Sequence, residues 1–150
     1  MSVLAGVMAI AGLAAGDDAQ SDIRLHDLTT ARGVFDNRPY QPTAVFAPDD
    51  NPIYLWYSAD GCTTGTIITS VWFYLETDPP LRFRDASVTV EHPDDWGQFN
   101  FRLAPGKQWP IGMYRIELWV GQTRLAQTSF RVATSTTTQS DSRVDQPPAR

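Results

Sequence analysis

Turn residues divide the middle of this chain into short segments, and their spacing constrains the fold more than any other feature. Between Asp22 and Val132, runs of aromatic and β-branched residues alternate with groups of Pro, Gly, Asp and Asn at intervals of roughly 8 to 12 residues. Apolar residues in this region do not follow helical spacing. The pattern therefore predicts an all-β fold, with strands at 23–28, 53–58, 66–76, 81–91, 98–103, 112–120 and 124–132.

The clearest single turn lies between the last two predicted strands. Gly121 and Gln122 stand between Val120 and Thr123, with the glycine in the first central position. A type II′ turn needs a positive φ at that position, which glycine adopts without strain. The sequence therefore predicts an antiparallel hairpin over residues 112–132.

Two aromatic residues indicate how the sheets pack. Trp72 lies in the middle of the third predicted strand, and Tyr114 follows Gly112 at the entrance of the penultimate one. A tyrosine at this place predicts a tyrosine corner, in which the ring is buried and its hydroxyl donates to an upstream backbone carbonyl. The predicted core consists of Trp72, Phe99, Phe101, Tyr114, Ile116, Leu118 and Phe130.

Trp72, the segment from Trp109 to Gly121 and the strand end Phe130-Arg131-Val132 together resemble the immunoglobulin-like modules appended to exported bacterial proteins. The resemblance covers about residues 49–132. It implies an immunoglobulin-like antiparallel β-sandwich of about seven strands, and a role in adhesion, spacing or ligand recognition. The chain departs from antibody domains because Cys62 is its only cysteine, which leaves no disulfide between the sheets.

The two ends differ from this middle. Residues 3–15 are all apolar or small, and this run is shorter than the roughly 20 residues that span a membrane. It has the length of a signal-peptide core followed by a small-residue cleavage pattern at Ala14-Ala15-Gly16, although no basic residue precedes it. We therefore expect 1–16 to be a signal peptide or the remnant of a membrane anchor, and a buried helix of the domain is the alternative.

Residues 134–150 are rich in Thr, Ser and Pro and bury too little apolar surface to offset their ordering entropy. The division is then a leader at 1–16, a sandwich at 22–133 and a disordered tail at 134–150. The leader predicts an extracytoplasmic protein that is secreted, periplasmic or membrane-anchored.

Charge excludes one class of partner. The net charge is -5, the pI is about 4.8, and no Lys/Arg cluster is longer than a pair. A nucleic-acid binder needs a basic patch, so nucleic acid is not an expected partner.

Residues with catalytic chemistry follow no recognisable motif. His26 and His92 lack zinc-motif spacing, and neither lies in a nucleophile motif with Cys62. The pairs Asp49-Asp50 and Asp94-Asp95 flank prolines and lack the alternation of a calcium loop, so they are interpreted as turn formers. No catalytic residue, metal site or cofactor is predicted, and a small metal-dependent hydrolase remains a minor alternative.

Strand periodicity predicts an apolar outer face. If Trp72 points inward, then Val71, Phe73 and Leu75 point outward, and an inward Tyr114 likewise turns Trp119 outward. These strands are neighbours in an immunoglobulin-type sandwich, so the four residues would share one patch. We expect this patch to contact a protein partner or a second copy, unless the N-terminal extension or segment 31–45 covers it.

Two further tryptophans leave an alternative open. Trp96 and Trp109 stand in or near predicted loops, where exposed rings stack on sugars and buried rings plug the ends of sandwiches. Plugging is the favoured interpretation. The favoured function is a non-catalytic extracytoplasmic binding or spacer module acting through protein contacts, and a carbohydrate-binding module that uses these tryptophans is the alternative.

Overall fold

Nine β-strands form the regular structure of residues 22–93 and 96–135, the part of the chain that the computed structural model describes. The strands are β1 (Arg24–Phe35), β2 (Arg38–Pro42), β3 (Val45–Phe46), β4 (Ile53–Asp60), β5 (Ile67–Tyr74), β6 (Leu81–Thr89), β7 (Trp96–Phe101), β8 (Gly112–Val120) and β9 (Thr123–Val132). The predictions for the leader at 1–16, for Asp94-Asp95 and for the tail beyond residue 135 lie outside the described residues. Within those ranges, no helix has the length and apolar character needed to cross a membrane.

The strands form two sheets that pack face to face. One sheet has four strands in the order β2-β1-β4-β7, and the other has five in the order β3-β9-β8-β5-β6. All pairings are antiparallel except that of β3 with β9. Trp72 on β5 lies opposite Ile116 on β8, so the predicted neighbourhood of these two strands is confirmed.

Segment 31–45 is the main difference from the sequence-based expectation. The first strand continues to Phe35, and residues 38–46 add the two further strands β2 and β3. Asp36 and Asn37 join β1 to β2 with φ values of 49° and 59°, the left-handed conformation that a two-residue type I′ hairpin requires at both positions. Asp and Asn tolerate that conformation better than other non-glycine residues, and the signal was missed because no glycine marks the turn.

The core forms where the inward faces of both sheets meet. Six of the seven predicted core residues are buried, and Phe101 is half-buried and packs against the same cluster. The Tyr114 hydroxyl donates to the Pro110 carbonyl oxygen at 2.7 Å, which confirms the tyrosine corner. Gly121 has a φ of 56° and Gln122 is not in the left-handed region, as a type II′ turn between β8 and β9 requires.

Candidate interaction surface

The outer face of the five-stranded sheet brings together three of the four residues that the strand alternation predicted, Val71, Phe73 and Trp119, whereas Leu75 lies beyond the end of β5. Val71 lies opposite Glu117, and Phe73 lies opposite Arg115, across the pair formed by β5 and β8. Val71, Phe73, Glu117 and Trp119 line a depression of about 380 Å³. Neither Phe73 nor Trp119 belongs to the core cluster, so both rings lie outside the sandwich interior.

This face is less open than the sequence analysis expected. Val71 is only 5% exposed, and Phe73, Leu75 and Trp119 are half-buried. The cover does not come from segment 31–45, because β1 and β2 extend the four-stranded sheet instead. The Arg115 guanidinium lies 4.7 Å from the centre of the Phe73 ring, so part of the apolar surface is covered by neighbouring charged side chains.

Glu117 is the unusual residue of this face, since it points outward by register but is only 5% exposed. The Trp119 indole Nε1 donates to Glu117 Oε2 at 3.0 Å. Arg115 Nε lies 3.0 Å and Arg124 Nη1 3.5 Å from Glu117 Oε1. A carboxylate loses its hydration when it is buried. Opposite charges and hydrogen bonds around it compensate for that loss. Glu117 thereby fixes the positions of a tryptophan and an arginine.

Arg115 retains unused hydrogen-bonding capacity. Its Nε is buried and, among the described residues, has no hydrogen-bond partner. The short distance to Glu117 is therefore an electrostatic contact in which the N–H group does not point at the carboxylate oxygen. A buried donor without an acceptor costs free energy.

The charge of this face has the opposite sign to that of the whole chain. By strand alternation, the described strands place Arg82, Arg115, Arg124 and Arg131 on it, with Asp85 and Glu117 as its acids. Arg82 donates to Asp85, and this hydrogen bond holds the pKa of the Asp85 carboxyl below its usual range. The face thus carries an excess of positive charge on a chain whose net charge is -5.

The tryptophans of the carbohydrate alternative lie in two different environments. Trp109 is 2% exposed, and its indole Nε1 donates to the Asp50 carbonyl oxygen at 2.9 Å. It therefore closes one end of the sandwich and presents no ring face to a sugar, which corrects the stacking alternative for this residue. Trp96 begins β7 and is half-buried on the outer face of the four-stranded sheet.

The residues with catalytic potential do not assemble into a site. Cys62 is buried, and burial followed by the negative charge of Asp60 raises the pKa of its thiol, which disfavours the reactive thiolate. His26 Nε2 forms an exposed contact of 2.6 Å with Asp60 Oδ2, whereas His92 is exposed elsewhere. Within residues 22–93 and 96–135, no three His, Cys, Asp or Glu side chains are close enough to hold a metal ion.

Asp50 behaves as the turn former that the sequence suggested. Its Oδ2 accepts hydrogen bonds from the Ala47 backbone N–H at 2.8 Å and from Arg32 at 3.0 Å. These contacts close the loop between β3 and β4 and use the carboxylate for local structure.

Comparison with known proteins supports the fold and goes no further. No family model matches the chain, and no curated protein matches it. Among solved structures, it is similar to an immunoglobulin-like protein from Pseudomonas aeruginosa, with 18% identity and a TM-score of 0.56 over 77% of this chain and 99% of the other. A second match is an alkylpurine DNA glycosylase from Pseudomonas fluorescens, bound to DNA containing an abasic site analogue. It has 12% identity and a TM-score of 0.42 over 74% of this chain and 30% of the other. This TM-score is too low to support an argument.

The topology and the first of these similarities define the class: residues 22–135 contain an all-β, immunoglobulin-like sandwich. The predicted fold is therefore confirmed, with nine strands in the described residues where about seven were expected.

Proposed function

We propose that this chain is a non-catalytic binding module that works outside the cytoplasm and contacts another protein through the outer face of its five-stranded sheet. We call the surface formed by Phe73, Arg82, Arg115, Trp119 and Arg124 around Glu117 the contact face. The observation that carries the proposal is its composition: Phe73 and Trp119 line one depression with Arg82 and Glu117, and Arg115 and Arg124 approach that Glu117. Tryptophan and arginine are the residues most enriched among those that dominate binding energy at protein interfaces.

Preorganisation favours this surface as a binding site. Trp119 is held by its hydrogen bond to Glu117, and Arg115 is held between Glu117 and the Phe73 ring. Side chains that are already ordered lose less entropy when a partner binds. Folding therefore already orders part of this surface, and less entropy is lost when a partner binds.

Charge and shape specify the chemistry of the partner. The positive excess of this face favours a protein surface that carries carboxylates. The depression beside Phe73 and Trp119 accepts an apolar side chain. The partner we propose is an acidic protein segment with an aliphatic or aromatic anchor.

Selection from a library of random displayed peptides, with the full chain as bait, tests this proposal. We expect the selected peptides to combine Asp or Glu with an apolar residue. They should lose binding to the double variant Phe73→Ser with Trp119→Ser, and bind at least tenfold more weakly to Arg115→Gln. Ile111→Ser is the matched control, because Ile111 is 56% exposed and lies in a loop outside the contact face.

Peptides that bind the double variant as well as they bind the parent chain would contradict the proposal. Sedimentation velocity of the parent and of the double variant covers the case of a second copy as the partner. Self-association that the double variant abolishes would identify the contact face as a homotypic interface, whereas self-association that it leaves intact would place the interface elsewhere.

The location outside the cytoplasm is supported by the apolar run at 3–15 and the small residues that follow it. Expression of the full reading frame, cell fractionation and N-terminal sequencing of the mature product test this part. We expect either a mature N-terminus near residue 17 or a membrane-bound chain. Intact Met1 on a soluble cytoplasmic product would overturn it.

A further inference from the structure

The outer face of the four-stranded sheet has a different composition from the contact face. On β4 the side chains that point outward are Tyr54, Trp56 and Ser58. On the neighbouring strand β7 they are Trp96, Gln98 and Asn100. The inward positions of β4 belong to the core, whereas Trp56 does not, which confirms its outward orientation. This part of the face is therefore aromatic or hydrogen-bonding throughout and carries no aliphatic side chain.

Of these residues, Trp56, Ser58 and Trp96 line a surface groove of about 920 Å³. Trp56, which is 9% exposed, lies at its base, and half-buried Trp96 lies at its side. The rest of the lining consists of Asp27, Asp36, Asn37, Arg38, Pro39 and Ser58. We call this surface the aromatic groove.

The wall of the aromatic groove is built and fixed by the fold. The Trp56 indole Nε1 donates to the Asn37 carbonyl oxygen at 3.1 Å, which ties the β1–β2 turn to the sheet. Asp36 and Asn37 adopt left-handed φ values of 49° and 59°, so the turn is sharp and stands beside the tryptophan. The orientation of the Trp56 ring and the position of the Asp36-Asn37 turn are thus set before any ligand binds.

The polar side chains around the rings are available for a ligand. Among the described residues, the side chains of Asp27, Asn37, Arg38 and Ser58 have no hydrogen-bond or ion-pair partner. Together they offer both donors and acceptors next to the half-buried ring of Trp96.

The aromatic positions also form a row. Tyr54 and Trp56 are two residues apart on β4, and Trp96 lies beside Ser58, the next outward position. With about 6.7 Å between successive outward positions on a strand, the row is about 13 Å long. An extended ligand with a repeating apolar face fits such a row better than a compact one.

From this arrangement we propose that the aromatic groove binds a neutral, β-linked pyranose chain. The C–H face of a pyranose ring stacks on an aromatic side chain, while its equatorial hydroxyls need the donors and acceptors at the rim. Asp27 and Asp36 outnumber Arg38 at the groove, which disfavours an anionic glycan. The lack of aliphatic anchors along the row disfavours a protein partner there.

Titration of the full chain with cellohexaose and chitohexaose, followed by calorimetry and tryptophan fluorescence, tests the proposal. We expect at least one of the two oligosaccharides to bind, and maltohexaose, which is α-linked and coiled, to bind at least tenfold more weakly. Trp96→Ala should lower the affinity at least tenfold, because its half-buried ring supplies stacking surface. Asp27→Ala, on the opposite side of the groove, should also lower it.

Trp119→Ala is the matched control, since it removes a half-buried tryptophan from the contact face on the other sheet. It should leave oligosaccharide binding unchanged and weaken peptide binding, so the failure of one proposal is distinguishable from the failure of the other. Thermal unfolding of each variant shows whether the fold is retained.

Three results would overturn the proposal: no binding of either β-linked oligosaccharide, binding that Trp96→Ala leaves unchanged, or equally tight binding of maltohexaose. If neither oligosaccharide binds and Trp96→Ala abolishes self-association, the first of these results would assign the groove to a second copy of the chain.

Discussion

The two outer faces of the sandwich each hold a tryptophan by its indole N–H, but the acceptors differ in kind. Trp56 on the four-stranded sheet donates to the backbone carbonyl of Asn37 in a turn. Trp119 on the five-stranded sheet donates to the buried carboxylate of Glu117, which two arginines also approach. The first face therefore depends on backbone shape, and the second depends on charge. We expect them to respond differently to added volume, to pH and to salt.

The largest effect should follow a change of volume in the four-stranded sheet. A methyl group at Gly97 would overlap the buried ring of Tyr57, which stacks on Phe99. Because the buried ring would have to leave its packed position, Gly97→Ala should lower the free energy of unfolding by about 3 kcal/mol in urea denaturation. At Gly33, in the same sheet, an added methyl would meet Tyr40 at an ordinary 3.6 Å, so Gly33→Ala should be nearly neutral. Equal losses in the two variants would contradict the expectation.

Alkaline pH should affect the same sheet through Tyr57. Burial, followed by the nearby Cys62, raises the pKa of Tyr57 from 10.0 to about 12. Since the unfolded chain releases this proton first, stability is fully present below about pH 10 and is lost as pH rises towards 12, by about 2 kcal/mol. Tyr57→Phe should remove part of this alkaline loss and leave stability at pH 7 nearly unchanged. Urea denaturation at pH 7 and pH 11 measures both, and an unaltered alkaline loss in the variant would assign it to other groups.

The charge network of the five-stranded sheet should respond to salt. Glu117→Gln removes the negative charge that Arg115 and Arg124 share, and we expect it to cost about 1.5 kcal/mol at low ionic strength. The expected cost is modest because Arg124 is half exposed and solvent screens its pairing with Glu117. Asp85→Asn is the control, because Asp85 is exposed and should matter little. The Glu117→Gln loss should shrink in 1 M salt, and a loss independent of salt would mean that packing is its source.

The sequence predicted local geometry well because that geometry depends on residues close together in the chain. Strand alternation placed Trp72 inside and Phe73 outside, and Tyr114 four residues after Pro110 forms the tyrosine corner. The turn at Asp36-Asn37 was missed because its left-handed conformation carries no glycine signal. The neighbourhood of Trp56 and Trp96 depends on the register of β4 with β7, which joins residues about 40 positions apart and leaves no local pattern.

The same limit applies to the contact face. Its apolar members follow from the strand period, but the burial of Glu117 does not, because that depends on which side chains extend across the sheet from β5, β8 and β9. An alternating pattern predicts where a side chain points, and the neighbours that cover it are set by tertiary packing.

The smallest expected effect tests whether the four-stranded face depends on backbone shape. Trp56→Phe keeps an aromatic ring at the base of the groove but removes the N–H donor to the Asn37 carbonyl oxygen. Because Asn37 is exposed, water replaces that donor, and the loss should be about 1 kcal/mol in urea denaturation. No ionised group takes part, so the loss should be the same in low salt and in 1 M salt, unlike that of Glu117→Gln. Hydrogen exchange of the turn amides should rise in Trp56→Phe without a matching rise in β8, since only the turn loses its attachment. A salt-dependent loss, or increased exchange throughout both sheets, would show that Trp56 supports the sandwich as a whole and that the two faces do not differ as described.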